Sequence, residues 1–270
     1  MQPFQNGTME SRIGIALGGG FARGIAHIGV LRVFEEHRIP VHCISGVSAG
    51  AMVAASFASG ASTAEIELVG RAMKFRDVAR WTVSRLGLAG SDRMISFLSR
   101  LLRVGRFEDM KIPLAVVATD LATGKPVVFR EQGEVVTPIR ASCSFPGLFL
   151  PVRHQNRYLV DGFVGMEVPA APLRLMGATH VVAVNIPNAK EAVDPGNLFS
   201  VIDRCFQVMC TRTEGEWRRS SDLVIEPDVA HIGWDAFASC HKMIEAGERA
   251  ALAALPVIQR WLEPAIERAS

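Results

Sequence analysis

The stretch PVHCISGVSAGAMVAASFAS, residues 40–59, decides how this chain folds. Its first part, Pro40–Ser45, reads as a buried strand. Its last part, Ala49–Ser59, is rich in alanine and reads as a buried helix. Between them stands Gly46-Val47-Ser48-Ala49-Gly50, a G-x-S-x-G pattern. A sharp strand-to-helix turn strains its central residue, and the flanking Gly46 and Gly50 permit the turn. Ser48 would then project at the carboxyl edge of a sheet, near the positive end of the following helix. That context makes Ser48 the candidate nucleophile. Without it, a serine in a glycine-rich turn would be an ordinary structural residue. The segment Ile39–Ala64 holds no Lys, Arg, Asp or Glu and is long enough to span a bilayer. Pro40, Gly46, Gly50, Gly60, several serines and His42 fit a strand–turn–helix better.

Upstream, Arg12–Leu17 is another β-rich apolar run, ending in Gly18-Gly19-Gly20. A helical pattern follows from about Gly24 to His37, with Ile25, Ile28, Leu31 and Phe34 at helical spacings. Downstream, Ile112–Thr119 reads as a strand buried on both faces. Pro126–Arg130, after a Thr-Gly-Lys turn, reads as its hairpin partner. Arg157–Val160, Thr179–Ile186 and Asp222–Glu226 are further expected strands. Ala236–Arg260 is an expected helix, interrupted or ended by Pro256. Strands alternate with helices nearly throughout, which implies an α/β fold: a layered, mostly parallel sheet flanked by helices.

Residues 61–109 differ, reading as a helical insertion with no clear strand. Met94, Phe97, Leu98, Leu101 and Leu102 form an amphipathic stripe. Between Arg71 and Arg106 nine basic residues face two acidic ones, a net +7. Two readings stand: a lid or lipid-facing surface for anionic head groups, or the solvated face of a packed helix.

Composition narrows the function. The 270 residues are 49% hydrophobic and 21% charged, as in a globular chain, and the net charge of +2 argues against a dedicated nucleic-acid partner. The five cysteines (43, 143, 205, 210 and 240) show no disulfide framework and no metal-ligand spacing, which suggests a reducing compartment. The N-terminus lacks a basic region followed by an apolar run, so no signal peptide is expected, and residues 1–11 read as a disordered extension. The expected location is cytoplasmic, peripheral at the inner membrane surface.

The glycine loop Gly18-Gly19-Gly20-Phe21-Ala22-Arg23-Gly24 follows a strand and opens a helix. As a dinucleotide fingerprint it fails: Arg23 stands where the third glycine belongs, and no acidic residue lies about twenty positions on. No Gly-Lys-Ser/Thr follows, so it is not a P-loop. An oxyanion hole is the better reading, because backbone amides at a helix start stabilise the charge that develops in acyl transfer. Ser48 also needs a base. Asp161, followed by Gly162 at the carboxyl end of a strand, is one candidate; Asp120 is a second by position. His27, His180, His231 and His241 lack the context of a catalytic base and read as structural or surface residues. The base stays open on this reading.

Together these residues resemble the bacterial patatin-like phospholipase family. The resemblance rests on GGGFARGIAHIGVL (18–31), GVSAG (46–50), VATDLATGKPVVF (117–129), ASCSFPGLFLPV (141–152) and LVDGFVGMEVP (159–169), in family order over about residues 12–186, more weakly through EPDVAHIGW (226–234). It implies one patatin-like α/β domain over 1–270, with 187–270 supplying a C-terminal strand and helices. It implies a Ser–Asp dyad without a catalytic histidine: Ser48 as nucleophile, Asp161 as base, and the amides of Gly19, Gly20 and Phe21 as the oxyanion hole. Gly18, Gly24, Gly46, Gly50 and Gly162 support these motifs, and Asp120 becomes a loop organiser. No metal or cofactor is implied. The partner is a lipid or membrane-surface substrate, met through the basic segment 71–106, and the reaction is hydrolysis of phospholipid or lysophospholipid esters.

Two departures stand out. Phe21 replaces a glycine common in the family, and Phe163 follows Asp161-Gly162 where Gly or Ala is usual. They reshape the acyl pocket rather than the reacting groups. They also keep two other functions open: a carboxylesterase for soluble esters, and a catalytically weak acyl-binding regulator.

Overall fold

The computed structural model describes residues 11–187, 198–233 and 235–263. The expected extension over 1–11 lies outside them except for Ser11, as does Trp234 of the EPDVAHIGW stretch. The chain starts with β1 (Ile13–Leu17), every residue of which is buried. A 3-10 turn over Phe21–Ile25 then leads into α1 (Ala26–Glu36), so the helix expected from Gly24 begins two residues later. β2 (Val41–Gly46) and α2 (Ala49–Ala58) are the strand and helix that flank Ser48.

Next come α3 (Thr63–Ala72), with a Ser62–Glu65 capping box, and the single turn α4 (Phe75–Val78). The insertion is not purely helical. It contains a two-stranded antiparallel ribbon, β3 (Arg80–Trp81) and β4 (Ala89–Gly90). Strands of two residues are too short to show an alternating pattern, which is why the sequence reads without them. α5 (Asp92–Leu101) buries Met94, Phe97, Leu98 and Leu101 of the expected stripe, while Leu102 caps the helix end and is half-buried.

β5 (Leu114–Asp120) is buried along its length and β6 (Pro126–Arg130) pairs with it as a hairpin. α6 (Val136–Ser142), β7 (Val152–His154), β8 (Arg157–Asp161), α7 (Ala170–Leu175) and β9 (His180–Val184) follow. Pro138 and Pro172 lie in the first turns of α6 and α7, where a missing N–H leaves no intrahelical bond unmade. The chain ends with α8 (Leu198–Arg219), β10 (Leu223–Ile225) and α9 (Cys240–Leu262). α9 runs on through Pro256 instead of ending there. Ala251, Ala254, Leu255 and Ile258 are buried on both sides of the proline, so packing holds the helix together.

The main sheet runs β10-β9-β1-β2-β5-β8-β7, with β6 also on β5. Pairing is parallel from β10 to β5 and antiparallel around β8, β7 and β6. β6 covers Ala115–Thr119 of β5. β2 and β8 therefore share the opposite edge of β5, where Gly46 faces Val116 and Asp161 faces Ala118. β2 runs parallel to β5 and β8 antiparallel, so their carboxyl ends converge from opposite directions. That convergence brings residues distant in sequence to one point.

Candidate active site

Ser48 follows β2 by two residues and caps α2. Its backbone has φ 54° and ψ −126°, a region costly for a residue with a Cβ. The close packing around the turn is possible only because Gly46 and Gly50 carry no Cβ. A Cβ on Gly50 would stand 2.4 Å from the Leu17 carbonyl oxygen, and one on Gly46 would stand 2.5 Å from the Gly50 oxygen. The Ser48 amide donates to Ser142 Oγ at 2.8 Å, and that hydroxyl donates to the Val117 carbonyl at 2.6 Å. The elbow is thus tied to β5 through the end of α6.

The Ser48 hydroxyl, 9% exposed as a residue, donates to Asp161 Oδ2 at 2.7 Å. Asp161, 1% exposed, also accepts from the Phe163 amide through Oδ1 at 3.0 Å. Thr119 Oγ1 donates to the Asp161 carbonyl and accepts from the Gly165 amide, which fixes the turn after β8. Burial raises the Asp161 pKa to about 7, while the bonds from Phe163 and Ser48 oppose the rise. A carboxyl so poised takes up a proton near neutral pH.

The glycine loop lies across the same cleft: Gly19, Gly20 and Phe21 line it with Ser48, Asp161 and Phe163. The Gly18 amide donates to the Val184 carbonyl at 3.0 Å and the Gly19 amide to the Glu167 carbonyl at 3.3 Å. His27 Nε2 donates to the Gly18 carbonyl at 2.9 Å. Burial lowers the His27 pKa to about 4, so the ring is neutral and anchors the loop. Phe21 adopts φ 49°, a left-handed conformation that glycine would take without strain, and its ring packs edge-on against Phe145 at 5.1 Å. Phe163 fills the space over Gly19, where a Cβ would sit 2.8 Å from its ring.

An apolar groove runs from Ser48 past Phe21, Met52, Met73 and Phe237, and on toward Ile66 and Leu101. The insertion therefore walls the groove rather than standing apart from it. Cys143 borders it too, but burial and the nearby Asp161 charge push its pKa well above the ordinary value, so its thiol stays neutral.

The remaining candidates lie elsewhere. Asp120 Oδ1 accepts from the Ala122 amide at 2.9 Å and the Thr123 amide at 3.4 Å, which organises the β5–β6 turn. His180 begins β9 at the opposite sheet edge and stacks on Trp261. His231 is exposed near Asp228, and His241 is exposed on α9. Ser142, Thr119 and His27 brace the site; His27 takes the structural role expected of it, while the sequence reading singled out neither Ser142 nor Thr119. Each acts through a backbone group brought close only by folding.

The patatin-like phospholipase family profile matches residues 15–174, more than half of the chain. The chain belongs to the patatin-like phospholipase family. An NTE-family protein of Mycobacterium tuberculosis is 32% identical over 189 residues, covering 69% of this chain and 52% of the relative. A lysophospholipase NTE1 of Scheffersomyces stipitis is 29% identical over 187 residues, 66% of this chain and 12% of that protein. This patatin-like chain thus spans about half the length of the mycobacterial relatives it matches. Among solved structures, VipD from Legionella pneumophila superposes with a TM-score of 0.57 over 92% of this chain and 67% of VipD. At 14% identity that likeness is one of fold. No helix among the described residues is long and apolar enough to cross a membrane.

Proposed function

We propose that this patatin-like protein hydrolyses fatty acyl esters of phospholipids or lysophospholipids through a Ser48 acyl-enzyme. The observation that carries this reading is the 2.7 Å bond from the Ser48 hydroxyl to a buried carboxylate. Asp161 takes the Ser48 proton as Oγ attacks the ester carbonyl. The oxyanion forms against the glycine loop. The amides of Gly19, Gly20 and Phe21 receive it, with the Gly19 amide shared with the Glu167 carbonyl. The alcohol leaves with the proton from Asp161. The same carboxylate then activates water, which releases the fatty acid and regenerates Ser48. The chain's own groups account for each proton, without a histidine or a metal.

The substrate class rests on the apolar groove that opens at Ser48 and on the family's name. Nine basic residues within 71–106 suit an anionic lipid surface, and five free cysteines suit a reducing compartment, so we place the protein at the inner face of a membrane. Fatty-acid release from phosphatidylcholine and lysophosphatidylcholine, wild type beside Ser48→Ala, tests the reading. The variant should lose activity by a factor on the order of 10⁶. Equal release by both would sink the proposal. Faster turnover of short monomeric esters than of vesicle lipid would move the substrate to soluble esters.

A further inference from the structure

The ribbon between β3 and β4 carries large apolar side chains that stand exposed to solvent. Trp81 is 67% exposed, Val83 105%, Leu86 60% and Leu88 54%. Isolated exposed apolar residues are ordinary, but four within eight positions of one ribbon form a patch. The ribbon is held firmly at its base. Leu88 and Ala89 both donate to the Leu148 carbonyl, and the Leu150 amide donates back to Ala89. Thr82 closes the ribbon by donating to Leu88. The tip, Val83–Leu86, therefore projects on a fixed support.

Two further observations say what covers this patch. The first is charge. Lys74, Arg76, Arg85, Arg93 and Arg100 are exposed, and none has a carboxylate within ion-pair distance among the described residues. Arg85 stands on the ribbon, and Arg93 donates to the carbonyl of Arg76, whose neighbour Phe75 packs on Trp81. The second is continuity with the active-site groove. Trp81 packs on Phe75 with tilted rings at 5.5 Å, and Phe75 packs on Phe149 at 6.0 Å. Phe75 and Phe149 line the groove that reaches Ser48.

We infer that the 80–90 ribbon is a membrane-docking element: its tip enters an anionic lipid surface and sets the mouth of the Ser48 groove against the acyl chains. Exposed apolar side chains with Arg85 among them and Arg76 beside Phe75 match the boundary between acyl chains and anionic head groups. A tryptophan at the base of the tip suits the head-group level, where its apolar ring and N–H are both accommodated. The groove then receives lipid along continuous apolar surface, without passing it through water. The inference names the surface on which the proposed hydrolase works, and so rests on that reading for its purpose, though its binding test does not.

The test is co-sedimentation of the full chain with equimolar phosphatidylcholine–phosphatidylglycerol vesicles and with phosphatidylcholine vesicles, at low and high salt. The wild type should bind the anionic vesicles and release with salt. Val83→Ser with Leu86→Ser should weaken binding by roughly tenfold for each side chain removed from lipid. Arg85→Gln should weaken it less and flatten the salt dependence. None of these residues lines the groove, so turnover of a short soluble ester should be unchanged. Undiminished vesicle binding by the tip variants would overturn the inference, as would failure of the wild type to bind anionic vesicles. A dimer in light scattering that the tip variants break, with vesicle binding intact, would assign the patch to a second copy of the chain and also overturn it. Vesicle binding lost at the tip in a protein that hydrolyses no ester would leave the docking surface standing and the hydrolase reading fallen.

Discussion

Ser48 and Asp161, 113 residues apart, are joined by a 2.7 Å hydrogen bond because the strands that carry them meet end to end on one edge of β5. Neither strand alone makes a site. The parallel register of β2 and the antiparallel register of β8 set where both side chains go, and α2 and the Phe163 turn set their directions.

The first consequence is a pH profile. Asp161 accepts a proton only as the carboxylate, and its pKa lies near 7. kcat/KM for a soluble ester should rise about tenfold per pH unit below 7 and level off above it. A flat profile from pH 5 to 8, or a midpoint near 4, would remove Asp161 from the role of base.

The same buried carboxyl shapes stability. Its folded pKa of about 7 stands above the ordinary 3.8, so between those values the folded state holds more protons than the unfolded one. Stability from this group is full below about pH 4 and falls as pH rises to 7. Asp161→Asn removes the burden. The variant's stability relative to wild type should grow with pH over that window, reaching up to about 4 kcal/mol at neutral pH. Urea titrations at pH 5 and pH 8 would check it. A difference that does not grow with pH would contradict the burial of the charge.

Strain at Ser48 is testable without any substrate. Ser48→Ala and Ser48→Gly both delete the hydroxyl, but only glycine relaxes φ 54°. Strain of about 1–3 kcal/mol, less glycine's extra unfolded freedom, should leave Ser48→Gly more stable than Ser48→Ala by about 1 kcal/mol. Thermal unfolding of the pair decides it, and equal midpoints would mean an unstrained elbow.

Phe163 and Gly19 should be coupled. A Cβ on Gly19 meets the Phe163 ring at 2.8 Å, so Gly19→Ala alone should cost about 1–3 kcal/mol and disturb the glycine loop. Phe163→Ala opens that space, and the double variant should recover most of the loss. Additive effects in the double-mutant cycle would mean that the ring moves away freely.

Strong local patterns made the centre of the fold readable from sequence. β1, β2, β5 and the glycine turns are apolar runs cut by unmistakable punctuation, and α5 shows its buried stripe. Other elements carried no such signal. Pro138 and Pro172 disguised α6 and α7. α8 puts Ile202, Phe206, Cys210 and Trp217 on one packed face, but exposed Val201, Val208 and Met209 beside them blur that stripe in the sequence. Pro256 read as a stop because the packing that carries α9 past it is tertiary. At the site, Ser48 and Asp161 were candidates from motif and strand position. Choosing Asp161 over Asp120 took either the family resemblance or the strand register, since both aspartates end apolar strands. The ribbon was invisible because two-residue strands have no period, and with it the exposed cluster from Trp81 to Leu88.

The most direct test of the central claim is intact-mass spectrometry after fluorophosphonate treatment, with wild type, Ser48→Ala and Asp161→Asn side by side. The account predicts one adduct on the wild type, mapped to Ser48, none on Ser48→Ala, and much slower labelling of Asp161→Asn. An adduct that persists in Ser48→Ala, or labelling of Asp161→Asn at the wild-type rate, would contradict it.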